Sequence, residues 1–340
     1  MSNYNYEIRL RPVENYFFGG ERTFGEAGDK QRNYFAVSNF YPQQTALLGL
    51  LRYLLLEDNQ LLPLKDHKAE AASVIGARSF DVTQDVVQDF GVIKSLSPLF
   101  LKKEDEVYRF AHPLDQLRLE TDTGGEVLGA NGQIDDLIQL AGFDVKTYYP
   151  DCLVAENGTC VNYDKVFSTR EQIGILKQSE KEGFFKQRLC QLSEGWDFVC
   201  YGLLEGDFRL SEDTKVSFGA ERKQFFVKIK SIESNNLPSF LTPSDGDEKL
   251  TLLSDALVDS SIYDHCRFSL SDTVEFRSGK MAYDGAKYSK DEYRSNKHNL
   301  LKRGGILVPK DGQMAALELV LNQNENFSNI GFNQYFKSNL

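Results

Sequence analysis

One run of leucines constrains this chain more than any other feature. In Gln43–Glu57, which follows Ser38, Asn39 and Pro42, Leu47, Leu48, Leu51, Leu54 and Leu55 recur at the spacing of a single face of an α-helix. The pattern predicts one long core helix. Ahead of it, Tyr6–Arg11 alternates Tyr6, Ile8 and Leu10 with Glu7, Arg9 and Arg11 and ends at Pro12, which predicts a strand with one buried face. Between them lies NYFFGGERTFGEAGDK, a loop carrying Gly19, Gly20, Gly25 and Gly28.

Beyond the helix, strands are expected at Gly91–Lys102, Glu106–His112, Trp196–Leu204, Val216–Ile229, Lys249–Leu257 and Gln313–Leu321. Asp66–Arg78 and Ile134–Leu140 carry weaker helical patterns, with a glycine-rich loop at Gly124–Gly132. Leu204–Asp213 and Asn235–Glu248 are the expected linkers. A chain of 340 residues suggests two domains at about 150 residues each. The order of elements predicts an α+β chain with antiparallel sheets. A short duplication, FGGERTFG at Phe18–Gly25 and FGAERKQF at Phe218–Phe225, suggests two related halves.

The formal net charge is −11, from 39 basic and 50 acidic residues, and taken whole it argues against a partner that is itself a polyanion. Its distribution argues otherwise. Leu54–Asp164 holds 9 basic and 20 acidic residues and so carries the entire excess. Lys215–Lys230 holds 5 basic residues against 1 acidic, and Arg277–Arg303 holds 8 against 3. A basic groove on an acidic body is one reading; solvated faces balanced by acidic neighbours is the other. The first residues lack a basic and apolar leader, and the apolar stretch Thr45–Leu56 is interrupted by Arg52, so a cytoplasmic protein without membrane contact is expected. Cys152, Cys160, Cys190, Cys200 and Cys266 are odd in number and widely spaced, which predicts buried free thiols and neither disulfides nor zinc.

No phosphate loop, dinucleotide fingerprint or metalloprotease motif occurs, and no cofactor or metal is expected. His298, with Lys297, Lys302 and Arg303 nearby, is the least unfavourable general acid or base among four scattered histidines. Phe167–Arg188 stands out more clearly. It combines Arg170, Lys177, Lys181, Lys186 and Arg188 with Phe167, Phe184 and Phe185. Arms at Thr169–Leu176 and Gly183–Leu189 around a turn at Lys177–Glu182 would make a projecting hairpin, suited to stacking single-stranded nucleic acid or packed on its own domain.

These residues carry a resemblance. IRLRPVENYFFGGERTFG followed by SNFYPQQTALLGLLRYLL resembles the opening of the RAMP proteins of CRISPR systems, specifically the third subunit of the type III-B (Cmr) effector. The matching positions are Arg11, Pro12, Phe17, Phe18, Arg22, Phe24, Gly25, Pro42, Thr45, Gly49 and Arg52. TREQIGILKQSEKEGFFKQR resembles the RAMP hairpin, and FGAERKQFFVKI is similar to the Gly-Glu-Arg-Arg run of the second half, with Ala220 and Lys223 as departures.

The resemblance implies two ferredoxin-like (RRM-like) halves, residues 1–205 and 206–340, the first with an inserted acidic segment at about 60–164 and a β-hairpin thumb at about 167–190. It implies a non-catalytic scaffold that holds the 5′ repeat-derived tag of a crRNA and meets the large polymerase/cyclase-like subunit and the backbone RAMP subunits. Carried over by position, Arg22 and Phe24 in the first loop, Gln44 and Thr45 at the helix start, and Arg52 become RNA contacts. Arg170, Lys177, Phe184 and Phe185 become the thumb, and Arg222 with Lys223 the second glycine-loop site. Two alternatives stand beside this: a metal-independent crRNA-processing endoribonuclease using His298, and a protein-only adaptor docking through Leu54–Asp164.

Overall fold

A computed structural model describes residues 4–20, 22–24, 34–84, 86–112, 118–120, 126–128, 151–178, 181–233, 236–242, 246, 248–279 and 295–338, of which 22–24, 34, 118–120, 126–128, 175–178, 181–184 and 268 are described by backbone alone. The weak helical pattern at Ile134–Leu140 and most of the loop at Gly124–Gly132 lie outside these residues.

Along the chain, the strand β1 (Tyr6–Pro12) leads through β2 (Arg22–Phe24) and β3 (Tyr34–Val37) to the helix α1 (Gln44–Asp58), then α2 (Lys68–Ile75). The acidic segment supplies β4 (Ile93–Leu96), β5 (Phe100–Lys103), β6 (Glu106–Ala111), the short ribbon β7 (Arg118–Glu120) and β8 (Glu126–Leu128), then β9 (Cys152–Ala155), β10 (Cys160–Asn162) and α3 (Tyr163–Val166). Two long strands, β11 (Phe167–Gln178) and β12 (Lys181–Leu192), precede β13 (Trp196–Leu204), β14 (Asp213–Ser217) and β15 (Gln224–Ser231).

β1 belongs to a nine-stranded antiparallel sheet in which β5, β13, β1 and β15 lie side by side, with β14 beyond β15 and β6, β9 and β10 beyond β5. That quartet has the strand order of a ferredoxin-like unit. Where such a unit carries its second helix, residues 205–223 form β14 and a loop instead. The acidic segment therefore widens the sheet. Its β5, β6, β9 and β10 are as much a part of it as β1.

Ile8 and Leu10 of β1 face α1 and are at most 4% exposed. The opposite face is not fully solvated, contrary to the simple alternation: Glu7 is buried, ion-paired to buried Lys102 and to Arg9. Burial pushes the Glu7 carboxyl up, and hydrogen bonds from Lys102 and Arg9 outweigh it and hold it below the ordinary carboxylate range. Charge survives there because it is paired.

After Ser231 the pairing breaks. A second sheet is formed by β16 (Lys249–Leu252), β17 (Cys266–Leu270), β20 (Ile306–Pro309) and β21 (Tyr335–Ser338), in the order β17-β20-β16-β21. The connections carry α4 (Ile262–His265), a ribbon of β18 (Thr273–Phe276) with β19 (His298–Leu301), and the helices α5 (Met314–Asn322) and α6 (Glu325–Asn329). Read in sequence, this is the ferredoxin order 2-3-1-4 with antiparallel neighbours. The expected division at residues 205 and 206 thus falls inside the first sheet, between β13 and β14, while the Asn235–Glu248 linker lies where the pairing changes.

Three expected strands differ, and the first, Gly91–Lys102, is split at residues 97–99 into β4 and β5. Gln313–Leu321 is helix α5, because Met-Ala-Ala-Leu-Glu-Leu are strong helix formers and Leu317, Val320 and Leu321 bury one helical face while Leu319 is exposed. Val216–Ile229 is interrupted at residues 218–223, where β14 turns into β15. Four cysteines are buried as expected, whereas Cys160 is exposed. Among the described residues, no helix is long and apolar enough to cross a membrane.

The halves are joined by polar side chains that the core shields. The Arg303 guanidinium, 1% exposed, pairs with Asp255 at 3.0 Å and lies 4.3 Å from the Tyr41 ring centroid and 5.0 Å from that of Phe110. Asn326 of α6 donates to the carbonyls of Gln84 and Val86 and accepts from the Gln88 amide. Removing one member of a buried pair strands the other charge, so Arg303→Ala should lower unfolding free energy by about 3–5 kcal/mol. Urea denaturation measures this; a change within about 0.5 kcal/mol, typical of a surface site, would remove Arg303 from that role.

Candidate nucleic-acid interface

The β1–β15 ladder sets the site. It runs from Tyr6↔Ser231 to Pro12↔Phe225 and is capped by a hydrogen bond from the Val13 amide to the Gln224 carbonyl. The chain leaving β1 and the chain entering β15 are therefore held side by side. Those two segments are the duplicated Phe-Gly-x-Glu-Arg motifs, and their phenylalanines touch: Phe18 and Phe218 have ring centroids 5.3 Å apart, within a cluster that includes Tyr16, Phe198 and Phe225.

Backbone contacts lock the loops together. The Ala220 amide donates to the Phe17 carbonyl at 2.8 Å, and the Phe218 amide donates to the Lys223 carbonyl at 2.8 Å. Gly219 has φ +81°, and a Cβ there would lie 2.7 Å from the Phe17 carbonyl oxygen, so both conformation and space require glycine. Glu221 and Arg222 follow with φ of 58° and 53°. Lys223 Nζ reaches Glu14 at 3.4 Å, and Gln187 Nε2 donates to Glu221 at 3.4 Å. Arg222 is exposed at the tip of this turn.

The thumb rises from the same corner. β11 and β12 pair from Phe167↔Leu192 to Gln178↔Lys181, so the turn is shorter than the expected Lys177–Glu182 and both arms are longer. β3 pairs in parallel with Phe185–Arg188, and β2 pairs with β3, which makes the hairpin the edge of a four-stranded sheet. Tyr16 and Cys190 exchange amide–carbonyl bonds at 2.8 and 2.9 Å and tie the first loop to the hairpin base. Burial pushes the Cys190 thiol up to about 11, which keeps it protonated and inert at neutral pH.

The expected site residues divide into three groups. Arg170 and Arg222 are exposed, Thr45 is half-buried in the first turn of α1, and Lys223 is tied to Glu14 beside Arg222. Arg22, Phe24, Lys177 and Phe184 occupy strands of the hairpin sheet, and their side chains lie outside the described residues.

The third group is turned inward. Gln44 is 0% exposed and donates to the carbonyls of Ser97 at 2.8 Å and Ile330 at 3.0 Å, which makes it a bolt between the halves. Arg52 is 4% exposed, donates to the Arg78 carbonyl at 2.9 Å and lies 5.5 Å over Phe90. Neither reaches a ligand on the surface. Phe185 is half-buried and covers Gly174 on the opposite arm, and Phe167 is core, with Phe40 at 5.0 Å. Lys186 and Arg188 both pair with Glu171 and lie over Phe35. The ties through Glu14, Gln187 and Glu171 were not expected, since they join residues that only the β-pairing brings together.

The cations around His298 are likewise committed: Lys297 to Glu275, Lys302 to Asp151 and Asp272, and Arg303 to Asp255. They do not converge on an open phosphate site.

Against known proteins, the family described as CRISPR-associated protein (Cas_Cmr3) matches residues 8–267. A chain of the type III-B Cmr-beta complex bound to cognate target RNA, seen by cryo-EM, superposes with a TM-score of 0.55 at 13% identity, over 97% of this chain and 96% of that one. A chain of Cmr-beta bound to cognate target RNA and AMPPnP, in state 1, gives 0.52 at 13% identity, over 97% and 99%. At that identity the likeness is one of fold. No curated protein matches at the sequence level. The paired glycine loops, the hairpin at their corner and the family match over most of its length give one conclusion: the chain belongs to the Cas_Cmr3 family of CRISPR-associated proteins.

Proposed function

We propose that this protein is an RNA-binding scaffold subunit of a type III-B CRISPR effector, without catalysis of its own. In this reading it holds the 5′ repeat-derived tag of the crRNA and docks the large polymerase/cyclase-like subunit and the backbone RAMP. One observation carries the reading: two glycine loops about 200 residues apart in the chain lock to each other through the Phe17 carbonyl, and present Arg222 beside the base of a long hairpin that carries Arg170. A rigid corner with an exposed guanidinium fits a fixed phosphate, since a guanidinium fork matches phosphate oxygens and a rigid loop loses little entropy on binding. The endoribonuclease reading has less support, because the cations near His298 are spent on carboxylates.

In the assembled complex, crRNA retention should fall when the tag is scrambled. Arg222→Glu and Arg170→Glu should each weaken binding roughly tenfold, the scale of about 1.5 kcal/mol for a charged hydrogen bond, and reduce the salt slope by about 1. Equal retention of tagged and scrambled crRNA would sink the tag reading, and charge reversal without effect would favour the protein-only adaptor. With repeat RNA and EDTA, wild type and His298→Ala should both leave the RNA intact; a discrete cut lost in His298→Ala would restore the nuclease reading.

A further inference from the structure

The outer face of the first sheet, opposite α1, is divided. Over one half the second half of the chain packs down: Leu253 and Phe240 join Phe100, Val107, Val199 and Tyr201 in one apolar cluster. The other half is open and forms a groove of about 520 Å³ across β13, β1, β15 and β14. The register makes two cross-strand rows there. Lys215, Phe226, Arg11 and Asp197 stand in line in one; Asp213, Lys228 and Arg9 stand in line in the next.

The chemistry of the rows is specific. Phe226 is 53% exposed, although its neighbours Phe225 and Val227 are core. Lys215 Nζ lies 5.8 Å from its ring centroid. Arg11, 59% exposed, is fixed by a bidentate pair with Asp197 at 2.6 and 2.9 Å, and is the cross-strand partner of Phe226. A fixed guanidinium plane next to an open ring is a surface on which flat aromatic groups stack. Arg9 and Lys228, two residues along each strand and so about 7 Å away, supply cations beside that surface. Arg11 pairs with Asp197, Lys228 with Asp213 at 3.9 Å and Arg9 with Glu7, which Lys102 also neutralises, so the groove keeps two more cations than carboxylates in a chain whose total charge is −11.

From this we infer a second nucleic-acid site: the open half of the sheet face binds single-stranded RNA without sequence preference, stacking a base on Phe226 and Arg11 and placing phosphates at Arg9, Lys215 and Lys228. Stacking plus cations, with no base-edge donors required, is the sequence-tolerant mode of single-strand recognition. The site lies on the outer sheet face, one ladder pair from the glycine-loop corner, and needs no tag. An acidic protein surface would use the cations and leave the exposed ring without a purpose, which is why RNA is the better occupant.

The test is fluorescence anisotropy of the full chain with a labelled oligouridine lacking any tag sequence, at about 50 mM salt, where phosphate contacts are strongest. Wild type should bind, Phe226→Ala should bind roughly tenfold more weakly, within the range of one lost stacking contact, and Phe226→Trp should restore affinity. Lys215→Glu with Lys228→Glu should weaken binding further and flatten its salt dependence. Arg222→Glu should weaken tagged crRNA more than this untagged probe, whereas Phe226→Ala should weaken the untagged probe as well, so failure at the glycine-loop site and failure here read out separately. Absence of wild-type binding, or Phe226→Ala and the double charge reversal binding as wild type, would overturn the inference. Oligouridine binding unchanged in the double reversal while an acidic partner subunit is released would overturn it in favour of a protein-docking surface.

Discussion

The β1–β15 ladder is the constraint on which the rest depends. Its pairing from Tyr6↔Ser231 to Pro12↔Phe225 joins residues more than 200 apart in sequence and has three consequences at once. It joins β15 and β14 to the rest of the nine-stranded sheet, it brings the two duplicated glycine loops into contact, and it lines Arg9 and Arg11 up with Phe226 and Lys228 on the outer face. A one-residue slip would turn Ile8 and Leu10 out of the core and Arg9 and Arg11 into it, so the register is set by burial. The positions of the candidate contact residues follow from packing that is itself unrelated to RNA.

The second theme is how this fold uses buried charge. Glu7 with Lys102, and Arg303 with Asp255 between Tyr41 and Phe110, are ion pairs inside an otherwise apolar frame. Such pairs add little net stability compared with well-packed apolar groups, yet their directional hydrogen bonds specify one arrangement of the parts they join. Gln44 and Asn326 act likewise through neutral hydrogen bonds. All four features lie where elements distant in sequence must meet in one orientation.

Much of this was legible in one dimension, and the exceptions have a common cause. α1 could be read from leucine spacing to within a residue at each end, and the hairpin from its two arms. Arg52 and Gln44 could not be assigned correctly, because an arginine inside an apolar helix has the same letter whether it meets solvent or the Arg78 carbonyl. Burial of a polar group is a tertiary fact. The exposed ring of Phe226 was hidden for the opposite reason: in QFFVKIK the two phenylalanines look alike, and only pairing with β1 shows that one is core and the other faces the groove. The strand assigned to Gln313–Leu321 failed where an apolar run fits either period and length does not arbitrate. The acidic segment has the composition of an insertion, and although strands at Gly91–Lys102 and Glu106–His112 are legible in it, their membership of the same sheet as β1 is set by pairing alone.

Net charge now has a structural meaning. The acidic surplus belongs to a segment that widens the sheet, whereas the glycine-loop corner and the open groove carry exposed cations. The proposed role of the paired glycine loops and hairpin in holding the crRNA tag is tested most directly by photocrosslinking. A crRNA with a photoactivatable base in the tag, assembled into the complete effector and irradiated, should crosslink this chain within the two loops, residues 14–20 and 218–223, and the hairpin arms. Crosslinks confined to the second sheet, or to other subunits alone, would contradict the account.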